Sequence, residues 1–290
     1  MKVDAEAAGF DEHRLERITD HFERRYVSPG KITGCQVTVA RGDHVAYFRS
    51  FGLMDRERAQ PVTEDTIWRV YSMTKPITSV ALMQLYEQGA FLLNDPVERY
   101  IPSWRGMKVG LIGADGSMTT VRPDRPVSVR DALMHTTGLP SNMPSNDPID
   151  RAFVTEQHQL GPQVTLESLC ELFSRHPLKF SPGTRWNYGL STDVCARLVE
   201  VLSDQRFDEY LSSQIFEPLG MTDTGFSVPD HSLERFAANY NYRPGGPPVL
   251  GDDPETSSYR RQPSYLSGAS GLVSTTQDYL RFCRMLVERG

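Results

Sequence analysis

"YSMTKP", residues 71–76, places a serine and a lysine three positions apart, with a proline directly behind the lysine. The same spacing recurs at Ser28 and Lys31 in "SPGK", so the surroundings must separate the two copies. Ahead of the first copy, "DTIWRVYS" leads in as an extended segment. Behind it, from Met73 to Gln88, Ile77, Val80, Ala81, Leu82, Met83, Leu85 and Tyr86 surround a helix axis. A helix apolar nearly all round is central and buried, and Gly89 is a good stop for it. Ser72 therefore falls at a strand-to-helix junction, and Lys75 shares its face one turn below. Pro76 fits the first turn, where backbone N–H groups have no helical partner. A helix start also offers free N–H groups and a partial positive charge to a developing oxyanion. Burial disfavours a charged amine, which makes a buried lysine a usable base. In the other copy, Pro29-Gly30 forms a turn between a helix and a strand, so that copy reads as a surface loop. On spacing alone, an ordinary helix cap is the simpler account of Ser72; the rest of the chain has to decide.

The bulk composition narrows the classes. At 290 residues the chain fits one large domain or two interleaved ones. Hydrophobic residues at 39% and charged residues at 23% support a packed core rather than disorder. The net charge of −6, without a Lys/Arg run, argues against a nucleic-acid partner. The short Arg pairs are flanked by acids and read as solvated faces. Cys35, Cys170, Cys195 and Cys283 are far apart and form no redox or zinc pattern. They read as four reduced thiols, three or four of them buried, in a reducing compartment; a disulfide between distant pairs stays open. The acidic, amphipathic N-terminus lacks the apolar region of a signal peptide, and no apolar run approaches membrane-spanning length. The expectation is a soluble, cytoplasmic protein without a membrane partner. The seven histidines are scattered, so no metal site is expected. No phosphate loop or dinucleotide glycine pattern occurs, so no cofactor is expected. The α/β-hydrolase elbow is absent, and a Ser-His-Asp triad has no local signature.

Along the chain, Leu15, Ile18, Phe22 and Tyr26 predict a helix over 11–26. "ITGCQVTVA" and "HVAYFRSFG" around "RGDH" predict a β-hairpin, and "KVGLIGADGSMTTV" a second one pivoting on Asp115-Gly116. "SVRDALMHTTGLP" reads as a short helix capped by Ser128 and ended by Gly138. Residues 165–176 and 191–203 have helical period, 243–264 reads as a long loop, and "STTQDYLRFCRMLVERG" closes the chain as a capped helix. Four to six strands are visible, all in hairpins, which argues against a parallel doubly wound sheet.

With these segments in view, the chain resembles the serine β-lactamase and penicillin-binding-protein superfamily, and within it the class C-related family VIII carboxylesterases. The Ser-x-x-Lys box is one motif of that set. A second is "PGTRWNYGLSTDV" (182–194), similar to the family's Pro-Gly-x-x-Trp-x-Tyr segment, which maps Tyr188 onto the catalytic tyrosine. "LLNDPVERYIPSW", "SVRDALMHTTGLP", "FEPLGMTDTGF" and "SGASGLVSTTQDYLRF" follow the family in order and spacing over essentially the whole chain. Two departures stand out. The lactamase asparagine two residues after the tyrosine is Leu190 here, which weighs against lactam chemistry. The family also continues past the position matching Gly290, into a third motif, Lys-Thr-Gly or a variant, that carries a second oxyanion donor and central strands. "HTTG" at 135–138 imitates that box but reads as a helix terminus.

The resemblance implies a β-lactamase/transpeptidase-like α+β fold, an antiparallel sheet flanked by helices plus a mainly helical region, with C-terminal sheet strands missing. Residues 1–70 and 265–290 would form the α/β part and 71–264 the mainly helical part, the serine lying at their junction. It implies a serine hydrolase that cleaves small-molecule carboxylic esters through an acyl-enzyme on Ser72, with Lys75 and Tyr188 as the base pair. Tyr71, Trp186, Asn187, Gly268 and Gly271 are candidate pocket residues; taken alone, Tyr188 reads more readily as a satisfied buried aromatic than as a catalytic group. The alternatives are a transesterase or acyltransferase, a D-aminoacyl peptidase or β-lactamase, and, in another class, a non-catalytic penicillin-binding-like sensor or an inactive fragment. With one oxyanion donor absent, weak turnover is expected, and a second polypeptide or an oligomer is the expected cover for an open sheet edge.

Overall fold

The computed structural model describes residues 1–290. In chain order it runs through helix α1 (Glu12–Phe22), strands β1 (Gly34–Arg41), β2 (His44–Asp55), β3 (Gln60–Pro61) and β4 (Ile67–Arg69), and helix α2 (Thr74–Glu87). Strands β5 (Val109–Ile112) and β6 (Met118–Val121) precede helices α3 (Val129–Met134), α4 (Pro148–Gln159), α5 (Leu166–Arg175), α6 (Ser191–Ser203), α7 (Phe207–Leu211) and α8 (Glu217–Leu219). Strands β7 (Asn239–Asn241), β8 (Val249–Asp252) and β9 (Val273–Thr275) and helix α9 (Thr276–Val287) close the chain.

These elements fall into two compact units. One comprises Met1–Val70, Phe216–Pro263 and Leu272–Gly290. Its sheet is antiparallel in the order β1-β2-β3, with the β1–β2 turn at Gly42-Asp43, where the sequence placed it. Ala46 and Tyr47 of β2, at the register shift of the hairpin, join a cluster with Ala8, Leu15 and Phe51, against which Ile18 and Phe22 of α1 pack. Thr19 and Tyr47 tie α1 to β2 by a 2.9 Å hydrogen bond. Strand β4 pairs antiparallel with β9, and a second cluster of Ile67, Val228, Phe236 and Val273 forms around them.

The other unit comprises Tyr71–Ile215 and Ser264–Gly271. Helix α2 packs along α6, and α6 in turn meets α3, α5 and α7. The core between them holds Ile77, Leu82, Leu169, Leu172 and Leu198, with Phe153 and Phe173 stacked at 4.9 Å. Strands β5 and β6 form the expected second hairpin.

Several expectations change. Helix α2 buries a stripe, Thr74, Ile77, Thr78, Ala81, Leu82 and Leu85, rather than its whole circumference, and Tyr86 faces outward. Helix α1 ends at Phe22 and widens into a π turn at Glu23–Val27. Helix α3 is ended by His135 in the left-handed conformation (φ +56°), not by Gly138, because the chain has already turned before the glycine is reached. Helix α4, with Asp147 as cap and Pro148 at its first position, is an element that the sequence analysis does not predict. The segment 243–264 contains β8, and β4–β9 is a long-range pair, so nine strands form where four to six in hairpins were expected. Phe216–Pro263 cluster with the first unit, whereas the sequence placed them in the helical part. Only Cys170 and Cys195 are buried; Cys35 and Cys283 are half-buried, and all four thiols are free. No helix is long and apolar enough to cross a membrane.

Candidate active site

Ser72 sits in the middle of a single 3₁₀ turn, Tyr71–Met73, that opens directly into α2. Tyr71 enters this turn at φ +41°, a conformation that costs a non-glycine residue energy and holds only when its surroundings fix it. The strained step presents Ser72 on the surface while the helix behind it stays packed. Pro76 is the third residue of α2, inside the first turn, where a missing N–H costs nothing.

Three predicted side chains converge. Ser72 Oγ lies 2.7 Å from Tyr188 Oη, and Lys75 Nζ donates to Ser72 Oγ at 3.2 Å. Lys75 also donates to the Ala269 carbonyl at 2.8 Å and stands 4.6 Å from the centre of the Tyr188 ring. Burial by itself raises the Tyr188 phenol, but its interactions with Lys75 and Ser72 outweigh that, and the net displacement is downward. The phenol is thus biased toward its basic form, next to a hydroxyl whose proton it can accept.

Tyr188 is placed by two loops that zip together. The Asn187 amide donates to the His135 carbonyl at 2.9 Å and the Gly183 amide to the Thr136 carbonyl at 2.8 Å. Asn187 Nδ2 donates to the Leu139 carbonyl at 2.9 Å, so this predicted pocket residue serves to join the loops. Gly183 has φ +83°, and a Cβ there would stand 2.3 Å from the Arg125 guanidinium. That guanidinium is clamped on Asp131 at 2.5 and 2.9 Å, and Asp131 also closes the capping box of α3 with Ser128. The glycine of "PGTRWNY" is therefore required by this clamp.

His135 is the residue that sequence reasoning passed over. Its ring stacks on Tyr188 at 5.0 Å, and its buried Nδ1 has no hydrogen-bond partner. Burial and then the charge of Lys75 lower its pKa, favouring the neutral ring. "HTTG" was noticed for its likeness to another box; the useful signal was a bulky ring at a helix end, where glycine or asparagine is usual. Trp186 edges against both His135 and Tyr188, at 6.3 and 5.8 Å, and at 67% exposed it stands as an open wall. Tyr71, 44% exposed, precedes the serine. Gly268 lies where a Cβ would meet Ala196 at 2.7 Å and the Thr192 carbonyl at 2.9 Å, so it lets the turn carrying Ala269 pack against α6. Gly271 closes that turn by donating to the Ser267 carbonyl at 2.9 Å. Leu190 is 7% exposed and brings no polar group. No three histidine, cysteine, aspartate or glutamate side chains cluster as metal ligands would.

A family model described as Beta-lactamase matches residues 19–290. Protein Rv1367c of Mycobacterium tuberculosis is 32% identical over 268 residues, covering 92% of this chain and 65% of that protein. Esterase EstB of Burkholderia gladioli is 31% identical over 284 residues, covering 92% of this chain and 68% of EstB. The solved structure of EstCE1, described as a hydrolase with promiscuous acyltransferase activity, superposes with a TM-score of 0.76 at 27% identity, covering 95% of this chain and 73% of EstCE1. The chain thus spans about 65% of the length of the first of these relatives.

Proposed function

This chain belongs to the Beta-lactamase family, with the helices and small antiparallel sheets of the β-lactamase/transpeptidase-like fold, and from that premise we propose that it is a serine hydrolase acting on small-molecule carboxylic esters. The observation that carries the reading is the Ser72 hydroxyl held 2.7 Å from the Tyr188 phenol and 3.2 Å from the Lys75 amine. Ser72 Oγ attacks the ester carbonyl while its proton passes to the Tyr188–Lys75 pair. The N–H of Ser72, at the start of α2, serves as a donor to the oxyanion. The tetrahedral intermediate expels the alcohol, which takes the proton back. Water, deprotonated by the same pair, then attacks the acyl-Ser72 ester and releases the acid.

Ester rather than lactam chemistry is favoured by Leu190, which presents no hydrogen-bonding group beside the tyrosine. A second alcohol in place of water would make the same acyl-enzyme an acyltransferase. The exposure of Ser72 and the open Trp186 wall favour that variant, as does the likeness to EstCE1.

Hydrolysis of p-nitrophenyl butyrate, with Ser72→Ala as control, and labelling by a fluorophosphonate test the reading together. Turnover and labelling that both vanish in Ser72→Ala support it. Wild type that neither turns over nor labels would hand the case to a non-catalytic sensor or an inactive fragment. Labelling without turnover would mean an intact nucleophile with blocked deacylation.

A further inference from the structure

Asp193 lies in the first turn of α6, wholly buried. Its Oδ1 accepts from Ser267 Oγ at 2.8 Å and from the Ala269 amide at 3.3 Å. Ser267 Oγ in turn accepts from the amides of Ala269 and Ser270 at 3.3 and 3.2 Å. The carboxylate therefore grips the turn over 267–270 at Ser267 and at Ala269, and the Ala269 carbonyl of that turn is the oxygen that holds Lys75. Thr78, one turn after Lys75 on α2, pins the same turn from the other side by donating to the Gly268 carbonyl at 2.8 Å.

A buried carboxylate is costly unless something requires it. Burial pushes the Asp193 carboxyl up, against the pull of Ser267, Tyr265, the Ala269 amide and the charge of Lys75. The buried hydroxyl of Tyr265 faces the same carboxylate, and each of the two groups acts on the other's titration. What Asp193 secures is the position of one carbonyl.

We propose that Asp193 is a positioning residue for the acyl-transfer reaction: by fixing the 267–270 turn it sets the Ala269 carbonyl, and through it the place of Lys75 beside Ser72. It touches neither substrate nor nucleophile. The inference rests on the reading of Ser72, Lys75 and Tyr188 as the reacting groups. Its signal in the sequence is an acid set among the buried Val194, Cys195 and Ala196 at the start of α6.

The test compares Asp193→Ala, Ser267→Ala and the double variant with wild type, by thermal unfolding, ester kinetics and the rate of fluorophosphonate labelling. The expected result for Asp193→Ala is a kcat loss of about 30-fold or more, as misplacement of a reacting group by a fraction of an ångström produces, with KM nearly unchanged and slowed labelling. Ser267→Ala should lose part of that, and the double variant no more than Asp193→Ala, since both act through one turn. A folded Asp193→Ala with wild-type kcat and labelling rate overturns the proposal. If Asp193→Ala does not fold, Ser267→Ala decides: wild-type kcat there also overturns it. Wild type that fails to label Ser72 overturns the underlying reading instead, and the inference with it.

Discussion

Ser28 and Lys31 share the spacing of Ser72 and Lys75 but stand on a turn. Ser28, Pro29 and Lys31 are exposed, the backbone closes on itself through Ser28 to Glu23 and Lys31 to Tyr26, and Lys31 rests 5.8 Å over the Tyr26 ring. At the other site the lysine has a fixed backbone oxygen at 2.8 Å, a serine at 3.2 Å and a phenol ring at 4.6 Å. The spacing is the same, yet only the second lysine has lost its freedom. A lysine with about 2 kcal/mol of rotamer entropy becomes a reliable base only when packed elements hold it. A short pattern has chemical meaning in proportion to the scaffold fixing its side chains.

The sharpest way to break this comparison is to remove each lysine. Lys75→Ala should lower kcat/KM for a p-nitrophenyl ester by about a thousandfold, within the range of a lost general base, whereas Lys31→Ala should leave it unchanged. Equal effects would dissolve the distinction. A smaller effect concerns the loop that delivers Tyr188. Burial raises the Asp131 carboxyl, but Arg125, Ser128 and Thr136 outweigh it and hold it below the ordinary range. A lowered folded-state value means a stabilising contribution present above the unfolded pKa of about 3.9 and lost as pH falls through the folded one. Asp131→Asn should therefore cost about 2–3 kcal/mol of unfolding free energy at neutral pH. The gap from wild type should close below about pH 4, as denaturant titrations at both pH values would reveal; a gap of constant size would contradict the assignment. The finest test is spectroscopic. Among the 12 tyrosines, Tyr188 should ionise below the usual value of about 10, giving a tyrosinate step in ultraviolet absorbance that is missing in Tyr188→Phe and moves upward in Lys75→Met. A step indifferent to Lys75 would mean that the amine does not act on the phenol.

Much of the site was legible because it is local. Ser72, Lys75 and Pro76 belong to one helix start, and helical spacing alone puts serine and lysine on one face. Tyr188 was legible only through the resemblance, since nothing in its own neighbourhood says that a loop from 182 will reach a helix at 72. The contribution of Ala269 was invisible because a backbone carbonyl has no sequence signature. His135 was hidden by the expectation that glycine ends a helix. In the fold, hairpins were read correctly where the turn residues are adjacent, as at Gly42-Asp43 and Asp115-Gly116. The β4–β9 pair escaped because its partners are brought together by burial of Ile67 and Val273 rather than by any turn.

The clasp on Lys75 is a main-chain oxygen, and that limits how the chain can vary. Swapping one small residue for another at 269 would leave the oxygen where it is. Harm should come from changes that alter the curvature of the backbone there, including ones that never touch the amine. Substitutions scanned along 267–271 should therefore sort by shape and bulk, with polarity a poor guide to which ones silence the protein.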